Sequence, residues 1–97
     1  MNNKQYPKIG SKVTFKGVHT FWFTNIIKDA DELLEVGNQY TVTKVEPYSS
    51  WCGVVLEEFP DKKFTLGFFE YEKELTLKEV RDILELEYKT LEELKNK

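Results

Sequence analysis

At 97 residues the chain has the length of one small domain and too little for a second hydrophobic core. Its 40% hydrophobic, 14% aromatic and 32% charged residues describe a globular chain and exclude disorder, while a single Cys52 and a single His19 exclude an internal disulfide and an ordinary Cys/His zinc site. The net charge of −3 weighs against a dedicated nucleic-acid module.

That total conceals a polarity. Residues 1–28 hold five lysines and no acid, whereas 29–74 hold eleven acids against four bases. No apolar run approaches the roughly 20 residues that span a bilayer. The polar start Met1-Asn2-Asn3-Lys4-Gln5 lacks the pattern of a signal peptide, so the expectation is a cytoplasmic protein with no membrane partner.

The first periodic segment is 11–16, where Val13 and Phe15 alternate with Lys12, Thr14 and Lys16 as in a strand with one buried face. Phe21-Trp22-Phe23 follows as a short strand or a packed loop. From residue 25 the period changes: Ile26, Ile27, Ala30, Leu33 and Leu34 share one side of a helix over 25–36, with Thr24 or Asn25 as its cap and Gly37 at its end. Residues 39–46 read as a β-branched strand in which alternation slips at Lys44, so a bulge is expected there, and Pro47 ends it.

A strand over 51–57 and a return strand over 63–69 flank Pro60-Asp61, which predicts a hairpin turning at that dipeptide. Its inner face is Cys52, Val54, Leu56, Phe64, Leu66 and Phe68, with Trp51 in the outer layer. Thr76 to Glu79 forms a capping box for a helix over 76–95. Leu77, Val80, Leu84, Tyr88 and Leu91 form its apolar stripe, broadened by Ile83 and Leu94, while Leu86 lies off it. Together these elements predict an α+β single domain. A small curved antiparallel sheet or partly open barrel over 9–71 carries a short inserted helix and is followed by an appended C-terminal helix.

Leu34 to Val42, then Ser49-Ser50-Trp51, Val55-Leu56-Glu57, Phe64-Thr65-Leu66 and Phe69-Glu70 resemble, as a set, the small SH3-like barrel proteins of bacteria and their phages. The resemblance spans residues 9–71 and implies the fold and a prophage origin. It carries over no catalytic residue.

Individual residues offer several chemistries. His19, as the one imidazole, is the obvious candidate for acid–base work, and an enzyme would join it to an acid such as Asp29 or Glu57, but no spacing supplies a nucleophile or a metal partner. Cys52 shares parity with Val54 and Leu56, which makes it a small core residue in preference to a nucleophile. The carboxylates Asp29, Asp31, Glu32, Glu57 and Glu58 lack the pattern of a calcium loop. No cofactor is implied.

Lys12, Lys16 and Lys28 around the aromatic run could serve a single-stranded nucleic acid, although five lysines without arginine make a weak version of such a surface. The aromatics are the better guide. Trp22, Tyr48, Ser50 and Trp51 fit a face that recognises another protein, the same rings serving otherwise to cap the open ends of the barrel. The expectation is thus a non-enzymatic protein-interaction module, monomeric or a weak homodimer through its C-terminal helix.

Overall fold

The structure, a computed structural model, describes residues 4–19, 21 and 23–95, with 90–95 described by backbone alone. Strand β1 (Lys12–Phe15) leads through a loop to helix α1 (Thr24–Leu33). Strands β2 (Gln39–Pro47), β3 (Cys52–Leu56) and β4 (Phe59–Thr65) follow, then a 3-10 turn (Leu66–Phe68), strand β5 (Phe69–Glu70) and helix α2 (Leu77–Lys95). The five strands form one antiparallel sheet in the order β4-β3-β2-β1-β5, open and not closed into a barrel. The chain is therefore an α+β fold, with the open sheet as the adopted form.

Alternation in β1 buries Val13 and Phe15 as the sequence predicts. In β2 the expected bulge is present. Pairing steps from Val42↔Leu56 to Lys44↔Val55, so Thr43 is the extra residue. That one-residue slip changes the parity of the strand and lets Val42 and Val45 both face the core. Pro47 still belongs to the strand, paired with Cys52 where β3 begins.

The β3–β4 turn is not at Pro60-Asp61. Leu56 pairs with Phe59, so the chain reverses at Glu57 and Glu58. A contact with β2 fixes the turn there. The Glu58 carboxylate accepts the Thr41 N–H at 3.0 Å, and the Glu57 N–H donates to the Thr41 carbonyl at 2.8 Å. Pro60 then sits on an edge strand, where a missing N–H costs no ladder bond. Register shifts again, so Val55 alone faces the stretch 60–63.

The return strand ends at Thr65, four residues sooner than predicted, and the 3-10 turn breaks its alternation. Phe64, Leu66 and Phe68 are buried as expected, and the break adds Phe69 to them. Complete burial of a Phe side chain such as Phe64 contributes about 2–3 kcal/mol before entropy is counted.

Helix α1 is shorter than the predicted 25–36. It buries Ile26 and Ala30 and packs beside β4. Leu34 leaves the helix in extended conformation (φ −106°, ψ 146°) yet stays buried, its N–H still bonded to the Ala30 carbonyl. Phe23, not Thr24 or Asn25, occupies the cap position, without a side-chain bond. Gly37 does have positive φ (+89°), but as the third residue of a separate turn closed by Asn38 N–H on the Glu35 carbonyl.

The capping box of α2 forms as predicted. Glu79 N–H donates to the Thr76 hydroxyl at 3.2 Å, and Thr76 N–H to the Glu79 carboxylate at 3.0 Å, the latter bond holding the Glu79 carboxyl below its ordinary pKa. Val80 is buried and Ile83 and Leu84 half-buried, facing Val45 and the Lys44 stem across a narrow gap. Tyr88, predicted in the inner stripe, is 67% exposed, and Leu86 is 68% exposed. A helix of this length spans about 28 Å, and its side chains from Glu85 to Lys89 are all exposed. The side chains of Leu91 and Leu94 lie outside the described residues.

Candidate functional site

The turn between β2 and β3 builds the most distinctive surface. Tyr48 N–H donates to the Trp51 carbonyl at 2.8 Å, which leaves Ser49 and Ser50 exposed at the tip. The closed turn stacks the two rings, with centroids 4.8 Å apart and planes at 29°. Trp51 also meets Phe21 at 5.3 Å and Phe23 at 5.4 Å, and Phe21 meets the fully buried Phe68 at 6.0 Å. Tilted and edge contacts of this kind each add about 0.5–1.5 kcal/mol beyond area burial. The rings form a staircase from the 44% exposed Tyr48 down to the core.

Polar groups brace its outer step. Lys63 Nζ donates to the Tyr48 hydroxyl at 2.6 Å and pairs with Glu46 at 3.2 Å, while the Tyr48 hydroxyl donates to Glu46 at 3.1 Å. The hydrogen bond to Tyr48, followed by the one to Glu46, raises the Lys63 pKa above its ordinary value. Gly53 makes room for this arrangement. A Cβ there would stand 3.0 Å from Lys63 Cδ and 3.3 Å from Tyr48 Cε2.

Trp51 is half-buried and borders two hollows. On one side is an open groove of about 860 Å³, whose walls include Phe21, Tyr6 and Tyr71, with Ser50, Lys16 and Lys73 among its polar members. On the other is a hollow of about 420 Å³ bounded by Phe23, Asp29, Asp61, Lys62 and Lys63. The tyrosines of the groove are anchored by chain segments distant in sequence. Tyr6 bridges to Leu75, and the Tyr71 hydroxyl donates to the Gln5 carbonyl at 2.9 Å. Burial raises the pKa of both phenols.

Of the predicted face, Tyr48, Ser50 and Trp51 come together; Trp22 lies outside the described residues. The three lysines do not share one of these hollows. Lys16 lines the groove, Lys28 lies on the exposed side of α1, and Lys12 donates to the Thr41 hydroxyl at 2.7 Å beside a hollow shared with Glu70, Glu72 and Glu74.

His19 stands edge-on to Phe68 at 4.9 Å, its Nε2 3.3 Å from the Gly67 carbonyl. It borders the groove, whereas Asp29 faces the other hollow beside Lys62 (3.9 Å) and Glu57 belongs to the β3–β4 turn. Cys52, expected in the core, is half-buried in the groove wall. Burial pushes its thiol up to about 12, far from a reactive thiolate at neutral pH.

Sequence reasoning misses Phe21, Phe23, Lys63 and Gly53 as parts of this surface. The flanking rings of the Phe21-Trp22-Phe23 run are the available signal for the first two. Comparison with protein-family models, with curated proteins and with solved structures finds no match for the chain.

Proposed function

We propose that the chain is a non-enzymatic protein-interaction module of SH3-like type and prophage origin, acting in the cytoplasm on another protein and needing no cofactor. Support for the likeness comes from the short, bulged antiparallel strands between Lys12 and Glu70, within the span that carries the resemblance. The observation that carries the functional reading is the braced stack of Tyr48 on Trp51 between two hollows. Aromatic faces held in advance contribute contact area at little ordering cost, which suits the capture of an extended peptide. The chain itself is a monomer or a weak homodimer through α2, and no described helix is long and apolar enough to cross a membrane.

A polyanion is the poorer occupant. The carboxylates beside Lys12 and the dispersal of Lys16 and Lys28 work against a continuous phosphate track. Catalysis by His19 with Asp29 or Glu57 has no support, since neither acid borders its groove.

The test is selection of a random twelve-residue peptide display library on the intact chain. Selected peptides are expected to lose binding to Trp51→Ala and Tyr48→Ala while keeping it for Tyr88→Ala. Amide spectra serve to verify that each variant is folded. Peptides indifferent to both platform variants, but lost with Tyr88→Ala, would overturn the reading.

A further inference from the structure

We propose that Trp51 divides one docking track into two ends of opposite polarity. The partner is then an extended protein segment with an acidic side chain at one end, an apolar residue over the indole and a basic side chain at the other. This rests on the interaction reading above and adds the chemistry of the partner.

The groove end is electropositive. Lys16 and Lys73 border it against the single carboxylate of Glu70, and neither ammonium pairs with a carboxylate among the described residues. At the opposite end Asp29 and Asp61 face Lys62 and Lys63, and Glu46, which holds Lys63, tips the balance to three carboxylates against two ammoniums. There Lys62 lies against Asp29 at 3.9 Å and Lys63 is held by Glu46 and the Tyr48 hydroxyl, so both cations are already engaged. Asp61 is left as an exposed carboxylate without an ion-pair partner among the described residues.

A ligand crossing Trp51 from one hollow to the other therefore meets cations first and a carboxylate last. A peptide with separated charges of both signs matches that order in one direction only, so the track also sets the ligand's orientation. A nucleic acid strand, negative at every step, would be repelled at the Asp61 end. A short peptide also suits the geometry, because both hollows border the same indole and an extended chain advances about 3.3 Å per residue.

The experiment uses peptides selected from the same library and three exposed positions where charge reversal leaves the core untouched. The expected consensus has an acid and a base on opposite sides of an apolar residue. The double variant Lys16→Glu with Lys73→Glu weakens such peptides about tenfold, and selection repeated on it returns peptides with a base in place of the acid. Asp61→Lys has the mirror effect at the other end.

A consensus without charge, or reversals that change affinity less than about twofold while Trp51→Ala still abolishes binding, overturns the polarity and leaves the interaction reading standing. Peptides that ignore Trp51 altogether remove both. A twelve-nucleotide single strand that competes with the peptides, with affinity falling steeply in salt, also overturns the proposal.

Discussion

Two of the regions that expose large apolar side chains do so differently. At the β2–β3 turn, Tyr48 stacks on Trp51 and Phe23 tilts against it, Phe21 links the indole to Phe68 in the core, and Lys63 and Glu46 brace Tyr48. On the second half of α2, Leu86 and Tyr88 are both largely exposed. Exposed area is similar in kind, but at the first surface the rings are tied to one another and to a polar brace before any ligand arrives. On the proposed reading, the difference teaches that bracing, more than exposure, marks the surface offered to a partner.

The contrast is sharpest when equivalent deletions are made in the two regions. Phe68→Ala, which removes the buried foot of the ring staircase, should lower unfolding free energy by about 3–5 kcal/mol in urea titrations. Leu86→Ala should stay within about 0.5 kcal/mol. Equal losses at both positions would break the distinction.

A smaller effect is expected at the start of α2. Thr76→Ala removes one half of the capping box and should cost about 1 kcal/mol, with amide exchange quickening in the first turn of the helix. Ring-current shifts around Trp51 should not move.

Gly53→Ala should change stability by no more than about 1 kcal/mol, since the flexible Lys63 stem can retreat from the new methyl group. It should nonetheless displace Lys63 from the Tyr48 hydroxyl, visible as a shift in the Tyr48 ring resonances. An unmoved Tyr48 would mean that Lys63 does not brace it.

The most local effect concerns Cys52. Because its thiol is raised from 9.0 to about 12 in the folded chain, native protein should resist Ellman's reagent at pH 8 and react only once unfolded. The folded state holds this proton more tightly than the unfolded state. Its contribution to stability is therefore complete below pH 9 and lost as pH rises from there towards 12. Tyr6 and Tyr71 act in the same direction, and Cys52→Ser should reduce the alkaline loss.

Features written in local spacing are legible in the sequence: the alternation of Val13 and Phe15, the slip near Lys44, the cap at Thr76. What escapes it depends on partners far along the chain. Pro60-Asp61 has the composition of a turn, yet Glu58 reaches the Thr41 amide and fixes the reversal earlier. Nothing local to Leu34 says that it keeps its buried position by leaving the helix.

The candidate site divides in the same way. Tyr48, Ser50 and Trp51 are neighbours in sequence and readable as a set, whereas the brace joins Lys63 to Glu46 and Tyr48 across a register that parity does not supply. Helical period places Tyr88 on the inner stripe, but period alone does not say which turns of a helix are covered, and Tyr88 is exposed.

The most direct measurement is a titration of the isotope-labelled chain with a library-selected peptide, followed amide by amide. Shifts gathered at Ser50, Trp51, Gly67, Asp61 and Tyr71, with Leu86 to Lys89 unmoved, are the predicted result. Shifts confined to the outer turns of α2, with the β2–β3 turn silent, would contradict the assignment of the aromatic stack as the surface that meets a partner.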